Sequence, residues 1–265
     1  MPYTLLMVKP DGMRRPEVLA DIEDRLRLSA LTVCRTVDTR LTRERARVLF
    51  PSFDEVRYPL TRALLLSYLT SGPVRFMVLC GADALDAGRR IRRVVRKRHA
   101  VAGLANCLHV AADSAEATAQ LAWLAEEHEV PAQWSRDTGS VPASAPVDLV
   151  PGVEGDLAEA DFDALGSAVW ARLEEVGWNG LWSWPTRCGE WEVRLVSDDA
   201  HSLDYAASAL YEEHPRLTPE RTLEAVLRVD QAGSAAVFAG ARPQVQALAD
   251  RLTRRGLLVS VTPGG

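Results

Sequence analysis

The sequence predicts an α+β chain made of two small domains. Three observations carry this. Its 265 residues exceed the usual size of one compact core. Strand and helix periods alternate through the first 128 residues and start again near residue 190. The two halves also differ in charge, with 20 Lys+Arg against 16 Asp+Glu over residues 1–130, and 11 against 20 over residues 131–265.

The elements follow in chain order. Residues 3–8 are an apolar run ending in Lys9-Pro10-Asp11-Gly12, which reads as a strand and a turn. Val18, Leu19, Ile22 and Leu26 then repeat at helical spacing. Residues 31–40 alternate as a strand does, and Thr42 opens a helix through Phe50. A second, more apolar helix spans 60–70 and is broken by Ser71-Gly72-Pro73. A strand over 74–81 and an arginine-rich helix over 82–98 follow. A short strand over 106–111 leads to Asp113-Ser114, which caps a helix running to about 127. The order β, α, β, α, α, β, α, β, α predicts an antiparallel sheet with helices on its face, built on a ferredoxin-like core.

Beyond it, Ser, Pro and Gly dominate without a sustained period, so the expected division is 1–129, a linker over 130–160, and a second domain over 161–265. That domain opens with a helix over 162–176 and a tryptophan-rich turn (Trp178, Trp182, Trp184), whose rings are expected to pack the helix onto one of the domains. Its remaining pattern is strand 191–196, helices 202–211 and 218–230, strand 235–239, helix 244–255 and strand 257–262.

Composition narrows the function classes. Hydrophobic residues make up 47% and charged residues 25%, as in a soluble globular protein, and no apolar run is long enough to span a bilayer. The first residues lack a basic leader region, so a cytoplasmic protein is expected. Cys34, Cys80, Cys107 and Cys188 form no CxxC pair, which argues against a zinc site and a disulfide framework. Arg90, Arg92, Arg93, Lys97 and Arg98 form a basic run, but no aromatic platform interleaves it and the whole chain is acidic. Nucleic-acid binding is therefore set aside.

Lys9 and Lys97 are the only lysines among 31 basic residues. Lys9 at a strand end, Arg89 and Arg96 two helical turns apart, and Asn106 three residues before His109 make a set fitted to an anionic phosphate ligand beside an imidazole nucleophile. Singly, each has a bland reading: a packed core histidine, or a solvated arginine face.

In order, Thr4-Leu-Leu-Met-Val-Lys9-Pro-Asp-Gly12, Thr70-Ser-Gly-Pro-Val74, Gly88-Arg89 and Asn106-Cys-Leu-His109 with Asp113-Ser114 resemble the nucleoside diphosphate kinase family. The resemblance implies its ferredoxin-like fold and an NTP-dependent phosphotransferase that forms phosphohistidine at His109. It implies nucleotide contacts from Lys9, Arg89, Arg96 and Asn106, ATP or another nucleoside triphosphate as ligand, Mg2+ carried on the nucleotide, no protein metal site, and a homo-oligomer. Tyr58 is assigned to the base, with Phe50 and Phe53 as alternatives. Against the family pattern, the stretch between Arg89 and His109 is shortened, the serine beside the histidine is missing, and the glutamate partner aligns at Gln120 or Leu121, neither a carboxylate.

In the second domain, Trp191-Glu-Val-Arg-Leu-Val-Ser-Asp-Asp199, Val226-Leu-Arg-Val-Asp230-Gln-Ala-Gly233 and Gly256-Leu-Leu-Val-Ser-Val-Thr-Pro263 are similar to ClpS, the Clp protease adaptor, a small α/β sandwich. That likeness implies a site for an amine or peptide at Ser197, Asp198 and Asp230 beside Leu203. The bland reading of Asp198 and Asp199 is a helix cap. The expectation is a phosphotransferase acting at His109, retuned toward an acceptor presented by the second domain. The alternative is a nucleotide-sensing adaptor that docks a peptide or a Clp-type protease.

Overall fold

Strand β1 (Tyr3–Val8) is buried at every residue after Tyr3, the burial expected of a strand paired on both edges and covered on both faces. In the computed structural model, which describes residues 2–50, 57–128, 130–136, 157, 160–185, 190–214 and 216–264, that is its position. With β2 (Thr32–Arg40), β3 (Pro73–Cys80) and β4 (Leu108–Val110) it forms a sheet of order β2-β3-β1-β4, antiparallel throughout. This order, with α2 (Pro16–Leu28) joining β1 to β2 and α5 (Ala84–His99) joining β3 to β4, is the ferredoxin-like arrangement. The predicted turn after β1 is instead one helical turn, α1 (Pro10–Met13).

Side-chain alternation assigns the faces. Leu6 and Val8 of β1, Met77 and Leu79 of β3, and Leu108 and Val110 of β4 join one core with Val18, Ile22 and Leu26 of α2 and Ile91 and Val95 of α5. Phe76, one residue out of phase, meets Trp123 of α6 (Ser114–His128) with ring centroids 5.5 Å apart. The sheet is thus covered on both faces, not on one. His109, flanked by Leu108 and Val110, shares the α6 side with α3 (Arg43–Leu49), whose N-cap Thr42 accepts from Arg45 N.

Contacts group residues 1–51 with 68–146, and 52–67 with 147–265. The division runs through α4 (Pro59–Thr70), where the sequence placed the whole helix in the first domain. The reason lies in the second unit. Buried Asp204 accepts from Leu60 N at 2.7 Å and Thr61 N at 3.1 Å, and also bonds the Thr61 hydroxyl. In the same unit Gly166 of α7 (Phe162–Val176) lies so close to Ala63 that an added Cβ would sit 3.0 Å from the Ala63 carbonyl carbon. Most of the sequence-predicted linker, residues 137–156 among them, falls outside the described residues.

The second unit's sheet has order β6-β5-β7, antiparallel, from β5 (Trp191–Val196), β6 (Ser234–Gly240) and β7 (Val259–Pro263). Helices α8 (Leu203–Glu213), α9 (Pro219–Ala232) and α10 (Arg242–Arg254) complete it. Ser202 and Thr218 cap α8 and α9 by accepting from Tyr205 N and Arg221 N. The tryptophans pack within this unit. Trp184 donates its backbone N–H to Ala236 O and packs at a tilt against Phe238 and His214 and edge-on to Trp182, while Trp178 meets Trp170 of α7.

Candidate active site

The site is organised by the pairing of β1 with β4, which places Met7 opposite His109 and Val8 opposite Leu108. Lys9 follows directly, and its backbone N–H donates to Cys107 O at 2.9 Å. Cys107 has φ +55, a left-handed conformation rare for a residue with a side chain. A Cβ on Gly12 would stand 2.7 Å from Cys107 O, so the Pro-Asp-Gly turn closes onto this segment because glycine leaves room for it.

Lys9 is 4% exposed. Its Nζ donates to Asn106 Oδ1 at 2.8 Å and sits 5.4 Å from the Tyr68 ring centroid. Asn106 is itself held by a bond from Nδ2 to Gly103 O. Burial, with Arg96 adding to it, pulls the Lys9 ammonium down to about 7. Tyr68 bonds Asp11, which also pairs with Arg15.

Strand β4 lies at the edge of the sheet, and its outward carbonyls need donors. Arg96 Nε bonds Leu108 O at 2.8 Å and Arg92 Nη1 bonds Val110 O. The two guanidiniums from α5 are thereby drawn over the strand that carries His109. Burial lowers both, and each lies in the other's or a neighbouring arginine's field, Arg96 falling to about 10. Arg89 pairs with Asp86 at 3.5 Å and adds its charge to Arg92.

His109 Nε2 lies 2.9 Å from Gln120 Nε2 and 3.3 Å from Glu116 Oε1. Phe50 meets the imidazole edge-on at 4.9 Å. Among the described residues the ring's polar contacts are made at Nε2 and none at Nδ1, and 13% of the side chain remains exposed. Burial lowers the histidine's pKa, as do Lys9 and Arg96, while Glu116 opposes them. The imidazole is therefore neutral near pH 7 and retains a lone pair for attack. Burial pushes the Glu116 carboxyl up, but bonds from His109 and Ala112 N outweigh it and leave the group lowered and ionised. Gln120, 2% exposed, also donates to Glu116 Oε1 at 3.0 Å, and its own Oε1 has no partner.

The sequence-predicted Lys9, Arg96, Asn106 and His109 are brought together, with Arg89 at the flank. Tyr58 lies before α4 in the second unit, with the Arg57 guanidinium 5.8 Å from its ring; the aromatic on His109 is Phe50, and Phe53 is outside the described residues. A carboxylate does stand beside the histidine. It is Glu116, one turn before the aligned position, held on the same helix face as Gln120 by the Asp113 cap on Glu116 N. Glu116 and Tyr68 were missed from sequence, Arg92 was read only as part of a basic run, and Gln120 was reached only as a non-carboxylate at the aligned position; the four-residue spacing of Glu116 and Gln120 after a cap was the available signal.

In the second unit, Asp198 accepts from Ala200 N, His201 N and His201 Nδ1. Burial pushes it up, but these bonds prevail and lower it. Its bonds go to this local turn and not to Ser197 or Asp230. Ser197 N donates to Gly233 O, Leu203 begins α8, and Asp230 is half-buried on α9. Among the described residues no group of three or more His, Cys, Asp or Glu side chains is placed to hold a metal, and no helix is long and apolar enough to cross a membrane.

Residues 2–130 match the family model described as nucleoside diphosphate kinase. The nucleoside diphosphate kinase of Rickettsia bellii is 32% identical over 101 residues, covering 38% of this chain and 69% of that protein. That of Acidiphilium cryptum is 32% identical over 127 residues, covering 44% and 87%. A halophilic nucleoside diphosphate kinase from Halobacterium salinarum, solved in complex with CDP, aligns at 28% identity over 46% of this chain and 85% of that one, with a TM-score of 0.39.

Proposed function

The chain belongs to the nucleoside diphosphate kinase family, and we propose that it transfers a phosphoryl group from a nucleoside triphosphate through a covalent intermediate on His109. The observation that carries this reading is the two-sided environment of the imidazole. Nε2 is held by α6, while Nδ1 has no partner among the described residues, on a ring that lies in the field of Lys9 and Arg96.

In this reading the neutral ring presents Nδ1 to the γ-phosphorus. As the N–P bond forms, the bond from phosphorus to the bridging oxygen breaks and the nucleoside diphosphate leaves. Positive charge then develops on the ring, where the Glu116 carboxylate beside Nε2 stabilises it. Lys9, Arg92 and Arg96 neutralise the transferring oxygens. Their buried, depressed pKa values support this role, since a polyphosphate supplies the anion these cations lack. Magnesium enters on the nucleotide's phosphates, consistent with a site whose described side chains are mainly cations and amides. A second transfer passes the phosphoryl group from His109 to an acceptor. We assign that acceptor to a nucleoside diphosphate or to a ligand presented by the second domain, whose likeness to ClpS carries the idea of an amine or peptide near Asp230 and Leu203. A cytoplasmic location, where nucleoside triphosphates are abundant, belongs to the same reading.

One observation favours a second reading, nucleotide sensing without transfer. The Gln120 amide nitrogen faces His109 Nε2, and donation from it would put the ring proton on Nδ1 and remove the nucleophile.

Wild-type and His109→Ala protein incubated with magnesium and γ-labelled ATP, then weighed intact under alkaline conditions, separate the two. Transfer predicts one acid-labile phosphoryl adduct in the wild type and none in the variant. Nucleotide bound without an adduct would sink the transfer reading in favour of sensing.

A further inference from the structure

Cys34 and Cys80 meet across neighbouring strands, well away in sequence and with no part in the phosphoryl chemistry. β2 and β3 pair with Thr32 opposite Cys80 and Val33 opposite Leu79, and the register then jumps so that Arg35 faces Val78. Cys34 is the residue this bulge leaves over. Two residues beyond Thr32, it projects from the same face as Thr32 and therefore toward Cys80. The bulge closes the remaining diagonal gap, and the two sulfurs stand 2.8 Å apart. That is inside the contact distance of two unbonded sulfurs, so the side chains already approach along the line a disulfide would take. Both thiols are half-buried and free, so a small reagent reaches them. Cys107, by contrast, is buried beneath the Lys9 turn.

We infer that Cys34 and Cys80 are a redox pair that closes to an intramolecular disulfide, stapling β2 to β3. The oxidant is a small-molecule disulfide, RSSR. One cysteine, as its thiolate, attacks a sulfur of RSSR, forming a mixed disulfide and expelling RS⁻. The second cysteine's thiolate then attacks the protein sulfur of that mixed disulfide, forming the Cys34–Cys80 bond and expelling the second RS⁻. The two protons given up by the cysteines leave on two RSH. Burial and the neighbouring thiol raise Cys34 to about 11, so little thiolate is present at neutral pH and exchange is slow. The pair is thus suited to a lasting staple more than to a fast sensor. The closed loop spans 46 positions in sequence, and cross-linking a loop of that size restrains the unfolded chain substantially.

The test uses the full chain, equilibrated for hours with oxidised or reduced glutathione, then denatured and alkylated before mass analysis and peptide mapping. Oxidised wild type is expected to take up two alkyl groups and to yield a Cys34–Cys80 cross-linked peptide, whereas the reduced protein takes up four. Its apparent melting midpoint is expected to rise by about 5 °C or more on oxidation, and dithiothreitol should reverse this. Cys34→Ser and Cys80→Ser variants should each lose the shift. Four alkyl groups on the oxidised protein, or a bridge through Cys107 or Cys188, would overturn the inference. The wild-type measurement decides it even if a variant fails to fold.

Discussion

The two halves of the molecule handle buried charge in opposite ways. In the second unit two partly buried carboxylates are answered by basic side chains: Asp198 by His201 and its own turn, Glu213 by Arg251 at 3.1 Å and Arg255 at 3.2 Å. Around His109, burial lowers Lys9, Arg92 and Arg96, neighbouring arginines add to it, and their side chains donate to the neutral oxygens of Asn106, Val110 and Leu108. Cationic charge held under burial and only partly offset by Glu116 and Asp11 has a cost that a bound polyphosphate reduces. Compensated charge is architecture. The comparison explains why the anion-binding reading is strong in the first half, and why an acidic motif in the second half is a weaker guide to a ligand.

The largest break in that contrast comes from Lys9. Lys9→Met should lower kcat/KM for the nucleotide by about 10²- to 10³-fold, the loss expected when a preorganised charge facing the transferring group is removed. The pH dependence sharpens it. Lys9 in the free enzyme loses its proton as pH rises through about 7, so kcat/KM should fall on the alkaline side. His109 has a lowered pKa, so its nucleophilic neutral form persists until pH drops below the ordinary histidine value of about 6.5. Steady-state kinetics across pH 5–9 would show an alkaline limb in kcat/KM that is weaker in kcat, because bound phosphate holds the lysine protonated. A flat profile between pH 6.5 and 9 would remove Lys9 from the binding step.

Glu116 and Gln120 are the next test, since they distinguish a charged partner from a neutral one on the same helix face. Glu116→Gln should slow phosphohistidine formation by about 10- to 100-fold, the worth of a charge-assisted bond of about 1.5–3 kcal/mol. Gln120→Leu should leave the rate at or above wild type, because the donor it removes is aimed at a ring nitrogen that must itself donate, and Glu116 keeps its bond from Ala112 N when its own contact to Gln120 is lost. Rapid-quench labelling reads both. Equal losses in the two variants would show that packing of α6 against His109, not the carboxylate, supports the ring.

Local grammar made most of the fold readable. Val18, Ile22 and Leu26 fall on the buried face of α2, and Thr42, Ser202 and Thr218 cap the helices they precede. The ordered motifs around Lys9 and His109 were equally legible, because each is a short contiguous block. What escaped was decided by tertiary geometry. Alignment looked for the carboxylate at Gln120, but the pitch of α6 turns Glu116 toward the ring as well. The Cys34–Cys80 approach depends on a single-residue bulge, and no strand pattern announces where a register slips. The bond between Asp204 and Leu60 joins residues 144 apart, a separation over which sequence patterning carries no signal.

That bond gives the smallest and cleanest prediction. Asp204 is fully buried and serves as the cap of α4 from a distant part of the chain. Asp204→Ala should reduce stability by about 1–3 kcal/mol, because it strands two buried backbone donors. Asp204→Asn keeps an acceptor and should cost less. Burial raises the pKa of Asp204 despite the opposing bonds from Thr61 and Leu60, which fixes the sign of its pH dependence. The folded state holds the proton more tightly than the unfolded state, so the carboxyl's contribution is full below its unfolded pKa of about 4 and declines as pH climbs through the raised folded value. The margin of wild type over Asp204→Asn, read from urea midpoints, should therefore be larger at pH 4 than at pH 7. A margin that grew with pH would mean that the ionised carboxylate is the favoured cap, and that this buried charge, unlike those around His109, is fully compensated by the helix it holds.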